Sequence, residues 1–238
     1  MDLAATPVVI LAGGRGTRLS PVVAGRPKVL APVAGQPFLH WLLRDLERQG
    51  ARHIVLSLGY LAEQVAAFLR DFPLGALSVR TVVEPEPLGT GGGLRLVAEQ
   101  LALTGPLCVL NGDTWIEGGL AEFARQATGH PTLGLVAVPD TTRFGRVELD
   151  GDRVTAFREK GQGGPGLIHG GLDLLPADLL GRLPAGPSSL ERDLLEPLAS
   201  AGRLKACRLS GAFVDFGLPD DYKAFSAWAE RQLPRRFA

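Results

Sequence analysis

Short apolar runs alternate with helical patterns through the first half of the chain. The run PVVILA, at 7–12, is apolar and rich in β-branched residues, as in a strand that is buried on both faces of a sheet. FLHWLLRDLERQG, at 38–50, places its apolar residues at helical spacing and ends at a glycine. The same patterns predict strands at 53–59, 77–84, 106–113 and 132–139, and helices at 62–72, 90–102 and 119–128. This regular β-α-β order predicts a mainly parallel sheet covered by helices on both faces.

The pattern changes after about residue 140. GRVELDGDRVTAFREK contains two alternating strands around the turn sequence Asp-Gly-Asp at 150–152, and therefore predicts a hairpin. The runs at 166–176 and 204–209 predict further strands, and 219–233 predicts a closing helix with a proline in its first turn. We therefore expect an α/β fold, a Rossmann-like three-layer sandwich with a mainly parallel central sheet and late antiparallel strands. We interpret 1–238 as one domain with two halves, 1–140 and 141–238.

Composition narrows the class of protein. Apolar residues make up 45% of the chain and charged residues 21%, which is typical of a soluble globular protein. Because 25 Lys and Arg balance 25 Asp and Glu, we expect no nucleic acid or membrane partner. No apolar run reaches the roughly 18 residues that span a bilayer, and the N-terminus lacks the basic region of a signal peptide. Cys108 and Cys207 indicate neither a disulfide framework nor a metal site. We expect a cytoplasmic protein whose oligomeric state is open, with a homodimer among the options.

The most informative stretch is LAGGRGTRLSPVVAGRPKVLAPV, at 11–33. Gly13, Gly14 and Gly16 follow the first strand directly. Glycines at such a position let main-chain N–H groups approach phosphate oxygens, because no Cβ blocks them. Arg18 and Lys28 add the positive charge that the loop itself lacks. The stretch therefore favours a site for a nucleoside triphosphate over a structural turn with two solvated cations.

Two other glycine-rich motifs fit this stretch poorly. The order G-G-x-G-T-R differs from the G-x-G-x-x-G of a dinucleotide-binding turn, and no Gly-Lys-Ser/Thr ending of a P-loop follows. Pro21, Pro27 and Pro32 also oppose the helix that should come next in either motif.

LAGGRGTRL followed by Pro-Lys resembles the opening motif of the sugar-1-phosphate nucleotidyltransferases, which couple a nucleoside triphosphate to a sugar 1-phosphate and release pyrophosphate. The resemblance continues in family order through EPLGTGG (86–92), LNGDT (110–114), FREK (157–160), GG (170–171) and FVDFGLPDDY (213–222). Within the family, the chain looks most like the short guanylyltransferases that act on D-glycero-D-manno-heptose 1-phosphate. The resemblance implies the nucleotide-diphospho-sugar transferase fold, with nucleotide binding in the half 1–140 and sugar-phosphate binding in the half 141–238.

The base-reading position of the family falls on Glu84. A carboxylate only accepts hydrogen bonds, and guanine offers two adjacent donors, N1–H and N2–H₂. Uracil and thymine present one N–H between two carbonyls, which an ionised carboxylate would repel. Glu84 therefore favours GTP, although a surface charge at a strand end remains the alternative. The full set of nucleotide-binding residues that the resemblance implies is Leu11, Ala12, Gly13, Gly14, Gly16, Thr17, Glu84, Gly89, Thr90, Asn111 and Gly112.

Charge neutralisation should account for most of the catalysis, because the reaction brings two anions together. The planar fork of Arg18 suits the β- and γ-phosphates, and Lys28 suits the α-phosphate and the incoming sugar phosphate. Asp113 and Asp215 each place a carboxylate in an apolar strand, where an unpaired charge is costly. The family places its metal carboxylates at these positions, so we expect a Mg²⁺ cofactor. A turn cap is the alternative for Asp113. We expect catalysis from Arg18, Lys28 and Asp113.

The resemblance also assigns residues to the sugar phosphate. Glu159 would accept sugar hydroxyls, Lys160 would pair with the phosphate, and Gly170 and Gly171 would let the backbone approach the sugar. His169 stands where the subgroup often has Asn, and an imidazole can hydrogen-bond a hydroxyl. The alternative for Glu159 and Lys160 is a solvated pair on an exposed edge.

The expected reaction is transfer of GMP from GTP to D-glycero-α-D-manno-heptose 1-phosphate, giving GDP-heptose and pyrophosphate. One alternative is the same chemistry with another specificity, as in a mannose 1-phosphate guanylyltransferase or a uridylyltransferase. The other is a non-catalytic, nucleotide-sugar-binding regulatory subunit. Trp115, after Gly-Asp-Thr, either lines the sugar pocket or belongs to the core.

Overall fold

The computed structural model describes residues 1–16, 19, 23, 25–161 and 163–237. Thr17 and Arg18, which the sequence analysis assigned to the triphosphate, lie outside the described residues. Among the described helices, none is long and apolar enough to cross a membrane.

One nine-stranded sheet runs through both halves of the chain, in the order β5-β4-β1-β6-β11-β8-β12-β10-β9. Two small two-stranded sheets pair β2 with β3 and β7 with β13. The strands are β1 (Val8–Ala12), β2 (Pro32–Val33), β3 (Gln36–Pro37), β4 (His53–Leu58), β5 (Ser78–Val83), β6 (Pro106–Asn111), β7 (Thr114–Ile116), β8 (Thr132–Val138), β9 (Arg146–Asp150), β10 (Arg153–Arg158), β11 (Gly166–Pro176), β12 (Lys205–Leu209) and β13 (Phe213–Asp215).

The helices cover both faces of the large sheet. They are α1 (Phe38–Arg48), α2 (Ala62–Asp71), α3 (Gly89–Gln100), α4 (Gly119–Gln126), α5 (Ala177–Leu180), α6 (Glu196–Ser200) and α7 (Pro219–Arg236). The side chains of β1 contribute alternately to two buried clusters, one on each face of the sheet, because successive side chains of a strand point to opposite faces. Val8 and Ile10 belong to one buried cluster and Val9 to the other. The strand is apolar throughout for this reason, and the three-layer arrangement is confirmed.

The predicted change from parallel to antiparallel pairing is confirmed. Strand β1 pairs in parallel with β4 and β6, and β4 pairs in parallel with β5. Strand β11 runs antiparallel to both β6 and β8, and β10 runs antiparallel to β9 and β12. The late part of the chain thus inserts β11 into the middle of the sheet, next to the strand that leads to Asp113.

Several short elements were not predicted from the sequence. A single 3-10 turn, Lys28–Leu30, follows Pro27, so the prolines of this stretch limit helix formation without preventing it. A single π-helical turn, Glu191–Leu195, leads directly into α6. Such turns carry too few residues for a hydrophobic period to be visible. The closing helix α7 also extends three residues beyond its predicted end.

Candidate active site

A cavity of about 720 Å³ opens at the carboxyl ends of β1, β4, β5 and β6, between their loops and the start of α3. Ligands of parallel sheets bind at this edge. Within the part of the chain that the structure describes, the predicted nucleotide-binding residues converge here: Leu11, Ala12, Gly13, Gly14, Gly16, Glu84, Gly89, Thr90, Asn111 and Gly112 all line the cavity. Lys28 and Asp113 line it as well.

The glycines after β1 have different surroundings. A Cβ on Gly13 would lie 2.8 Å from Oε1 of Glu84, so this glycine makes room for the Glu84 carboxylate. A Cβ on Gly14 would meet no atom of the described residues within 4 Å. Gly16 has a φ of +60°, a conformation that favours glycine. The loop therefore accommodates the Glu84 carboxylate beside Gly13 and leaves room for a ligand beside Gly14.

Glu84 follows the end of β5, and the backbone around it holds its carboxylate toward the cavity. The N–H of Leu88 donates a hydrogen bond of 2.9 Å to Oε2 of Glu84. Burial raises the pKa of Glu84, while the Leu88 hydrogen bond opposes this shift. The second oxygen, Oε1, lies beside Gly13 and Gly93. A carboxylate with one anchored oxygen is well suited to read two adjacent donors.

The glycines at the start of α3 allow another segment to pack against it. We call residues 183–190 the strap. The N–H of Gly91 donates to the Ser188 carbonyl at 2.9 Å, and the N–H of Ser188 donates to the Leu88 carbonyl at 2.8 Å. A Cβ on Gly92 would lie 2.4 Å from the Gly186 carbonyl oxygen, so a larger residue would displace the strap.

Thr90 connects the strap to the cavity. Its Oγ1 accepts a hydrogen bond of 2.9 Å from the N–H of Leu190, the last residue of the strap. The Thr90 hydroxyl keeps its own hydrogen, which can be donated to a ligand in the cavity.

The small sheet of β7 and β13 brings the two predicted metal carboxylates together. Asp215 pairs with Thr114 in this sheet, and Thr114 directly follows Asp113. The Phe216 N–H also donates to the Asp113 carbonyl at 3.3 Å. Two aspartates about a hundred residues apart in sequence thus lie near each other, because two strands of three residues pair edge to edge, although Asp113 lines the cavity and Asp215 does not.

Lys28 lies between the cavity and these carboxylates. Its Nζ forms an ion pair and hydrogen bond with Oδ2 of Asp113, and it lies 5.5 Å from the centre of the Phe216 ring. The Lys28 side chain is 12% exposed, so its charge acts in a partly desolvated environment, where charge interactions are stronger than in water.

Asp215 has an environment that favours a nearby cation. Burial and then the negative charge of Asp113 raise the pKa of Asp215, whereas Lys28 and the Gly217 N–H lower it. The Gly217 N–H donates to Oδ1 of Asp215 at 2.7 Å, and no described residue donates a hydrogen bond to Oδ2. Among the described residues, no group of three or more His, Cys, Asp or Glu could hold a metal. Two carboxylates whose remaining ligands come from water and substrate phosphates suit Mg²⁺, which retains several non-protein ligands.

The residues predicted to bind the sugar phosphate lie outside the cavity lining. Glu159 and Lys160 are exposed at the end of β10. Gly170 and Gly171 form a bulge in β11, where the register against β8 shifts. Gly171 has a φ of +71°, and a Cβ there would lie 2.6 Å from Nδ2 of Asn111. This contact joins the bulge to the nucleotide cavity, and the sugar-binding roles stay predictions.

His169 lies in an ionic cluster that the sequence did not predict. Its Nε2 is 2.7 Å from Oδ1 of Asp173, and its Nδ1 is 3.8 Å from Oε1 of Glu191. The bulge at 170–171 bends β11 so that two residues four positions apart make contact. Burial alone would lower the pKa of His169, but the charge and hydrogen bond of Asp173, with a smaller effect of Glu191, raise it to about 10. We call His169, Asp173 and Glu191 the imidazolium cluster.

Two aromatic residues and one arginine complete the description of this region. Trp115 is 1% exposed and packs on Phe38, so it belongs to the core. Arg15 and Tyr60 line the cavity, with the guanidinium 5.9 Å from the centre of the Tyr60 ring. Sequence analysis did not select this pair. Arg15 lies inside the glycine-rich loop, which was its one available signal, whereas no local pattern marks Tyr60.

Comparisons with known proteins agree with this geometry. A family model described as nucleotidyl transferase matches residues 7–227. D-glycero-alpha-D-manno-heptose 1-phosphate guanylyltransferase of Campylobacter jejuni is 32% identical over 218 residues, which are 91% of this chain and 97% of that protein. Mannose-1-phosphate guanylyltransferase of Mycobacterium tuberculosis is 36% identical over 227 residues, which are 92% of this chain and 63% of that protein.

The chain is also similar to solved structures. The crystal structure of HddC from Yersinia pseudotuberculosis has a TM-score of 0.84 and 34% identity, and the match covers 94% of this chain and 99% of that one. The same protein complexed with GMP-PN has a TM-score of 0.82.

Proposed function

The chain belongs to the nucleotidyl transferase family, and on this premise we propose that it transfers GMP from GTP to D-glycero-α-D-manno-heptose 1-phosphate. The observation that carries the proposal is the cavity in which Glu84 lies at one side and the Lys28–Asp113 pair at another. One side can read a base, and the other can hold the reacting phosphates. The products would be GDP-heptose and pyrophosphate.

The guanine preference follows from the hydrogen-bonding capacity of Glu84. Its carboxylate accepts hydrogen bonds and donates none while ionised. Guanine has two adjacent donors that match two acceptor positions, whereas a pyrimidine would place carbonyl oxygens against the charge. The names of the similar guanylyltransferases and the GMP-PN complex of HddC support the same base.

The chemistry requires the negative charge on two phosphate groups to be neutralised while they approach each other. Lys28 would bind the α-phosphate and the entering sugar phosphate, and its ion pair with Asp113 supports this role by orienting the ammonium. Asp113 and Asp215 would hold Mg²⁺. When bound, the ion would neutralise the phosphate oxygens and orient the triphosphate for in-line attack. Arg18 remains our proposed ligand of the leaving pyrophosphate.

We choose heptose 1-phosphate because of the sequence similarity to the heptose 1-phosphate enzyme and the share of that enzyme's length that the match covers. The heptose 1-phosphate enzyme of Campylobacter jejuni matches this chain over nearly its whole length, whereas the chain spans 63% of the mannose 1-phosphate enzyme of Mycobacterium tuberculosis. The higher identity to the mannose enzyme nevertheless makes mannose 1-phosphate the second candidate.

A matrix of substrates tests the proposal. Pyrophosphate release is measured with GTP, ATP, UTP and dTTP, each paired with heptose, mannose, glucose and N-acetylglucosamine 1-phosphates. We expect the highest kcat/KM for GTP with the heptose phosphate. Turnover with UTP and none with GTP would overturn the role of Glu84, and higher kcat/KM for mannose 1-phosphate would select the second candidate. Unchanged turnover in Lys28→Ala and Asp113→Ala would remove the assigned site.

A further inference from the structure

A carboxylate that sequence analysis did not select, Glu191, stands beside residues expected to bind the sugar phosphate. We propose that Glu191 is a specificity-determining residue that accepts hydrogen bonds from hydroxyl groups of a neutral sugar 1-phosphate, and that His169 is the residue that positions it. This inference rests on the proposed function, because it concerns the acceptor substrate of the same reaction.

The imidazolium cluster has more negative than positive charge. Asp173 is 2% exposed, and its hydrogen bond to His169 compensates for its burial. One imidazolium balances one carboxylate, so two carboxylates leave a net negative charge. That charge belongs to Glu191, whose side chain is 66% exposed and whose distance to His169 is the longer one. The interaction with His169 also lowers the pKa of Glu191, so its carboxylate stays an acceptor.

Both nitrogens of the His169 ring face carboxylates. Its Nε2 forms a hydrogen bond of 2.7 Å with Asp173, and its Nδ1 faces Glu191 at 3.8 Å, an ion-pair contact that is longer than a hydrogen bond. The hydroxyl-binding role that the resemblance implies for this position therefore passes to Glu191. His169 instead directs the Glu191 side chain across from β11.

Glu191 lies near residues proposed to bind each of the two substrates. Lys160, the proposed ligand of the sugar phosphate, is close enough to lower the pKa of Glu191 through its charge. On the other side, Glu191 directly follows Leu190, whose N–H holds the Thr90 hydroxyl at the nucleotide cavity. Glu191 also begins the single π-helical turn 191–195, and such turns are frequent at functional sites. Glu191 thus follows the strap directly and lies within electrostatic range of Lys160.

The charge of Glu191 defines the class of sugar. An ionised carboxylate binds hydroxyl donors well and repels another carboxylate nearby. Neutral, polyhydroxylated sugars such as hexoses and heptoses fit this requirement. A uronic acid 1-phosphate, which carries a carboxylate on the ring, should be a poor substrate.

The first test compares Glu191→Gln with Glu196→Gln, a matched change at an exposed glutamate in the next turn of the same segment. Steady-state kinetics use heptose 1-phosphate and mannose 1-phosphate with GTP. We expect Glu191→Gln to raise KM for the sugar phosphates roughly tenfold, as loss of a charged hydrogen bond does, with KM for GTP unchanged. Glu196→Gln should change neither KM. Equal changes in both variants, or a change in KM for GTP alone, would overturn the proposal.

The second test removes the substrate group. Mannose 1-phosphates that each lack one hydroxyl are compared in the wild type and in Glu191→Gln. The penalty of the substitution should vanish for the analogue that lacks the bound hydroxyl and persist for the others, because coupled groups are non-additive. The same penalty with every analogue would show that Glu191 contacts no hydroxyl.

The positioning role of His169 has its own readout. His169→Gln should raise KM for the sugar phosphate in the wild type but add nothing in the Glu191→Gln background. Glu191→Gln should also increase kcat/KM for mannuronic acid 1-phosphate relative to mannose 1-phosphate. Additive effects, or an unchanged preference, would contradict the proposal.

The proposed function and the role of Glu191 would be contradicted by different results. If the wild type releases pyrophosphate from no pair of triphosphate and sugar phosphate, the proposed function fails and the role of Glu191 fails with it. If the wild type is active and Glu191→Gln leaves every sugar KM unchanged, only the role of Glu191 is wrong.

Discussion

The nucleotide cavity and the residues proposed to bind the sugar phosphate present polar groups in different ways. Around the cavity, glycines such as Gly13 at the ends of parallel strands provide space beside the side chains of Glu84, Lys28 and Asp113. In the second region, charged side chains meet at a bulge, as in the imidazolium cluster. The glycine-rich loop of the cavity is formed by local sequence. The side-chain cluster depends on each of its partners, so single substitutions should have different effects in the two regions.

The largest effect is expected where the halves meet, at Asp215. Asp215→Asn removes a proposed metal carboxylate, and turnover should fall by about 10³-fold. The same change removes the repulsion between Asp215 and Asp113 that raises the pKa of Asp215. Tm measured in EDTA should therefore not fall. Lower Tm with retained activity would mean that Asp215 has a structural role.

Asp173→Ala should have the largest effect on stability. It leaves the His169 ring buried without its main carboxylate, and the free energy of unfolding should fall by about 3 kcal/mol, as is typical when one partner of a buried pair is removed. Urea denaturation measures the loss. The double variant His169→Leu/Asp173→Ala should be less destabilised than Asp173→Ala, since no unpaired charge remains. A double variant that simply adds both losses would contradict the buried ion pair.

The pH dependence of stability should identify the same cluster with a smaller effect. The pKa of His169 is raised from 6.5 to about 10 in the folded state. Its contribution to stability is therefore fully present below pH 6.5 and is lost as pH rises through 10. The free energy of unfolding of the wild type relative to His169→Gln should fall across this window. A difference that does not vary from pH 6 to pH 10 would exclude a charged His169.

The smallest effect is expected in the nucleotide half, from adding one methyl group. Gly13→Ala places a Cβ against the Glu84 carboxylate and should raise KM for GTP roughly tenfold, the effect of a displaced hydrogen-bonding group. It should weaken the preference for GTP over ATP. Gly14→Ala is the matched control, because its Cβ would contact none of the residues that the structure describes. This control should affect GTP and ATP equally, and a loss of base preference in it would place base recognition elsewhere in the loop.

The regular elements were predictable because their signals are local. The apolar run of β1 and the helical spacing of α1 depend only on neighbouring residues, and the structure confirms both. The place of Gly13, Gly14 and Gly16 in the cavity lining was predictable for the same reason, since these glycines directly follow β1. The small sheet of β7 and β13 was not predicted as a pair, because strands of three residues have almost no periodicity. The imidazolium cluster was not predictable at all.

The sequence by itself determined the order of the long strands and helices, the switch to antiparallel pairing after residue 140 and most residues of the cavity that were assigned to the nucleotide. Each of these follows from hydrophobic period, turn residues or a contiguous motif. Only the tertiary structure placed β11 between β6 and β8, brought Asp215 beside Asp113, and directed Glu191 toward His169. These contacts join residues far apart along the chain, so they exist only when the strands pair, and the bulge at Gly171 bends β11 to complete the last of them.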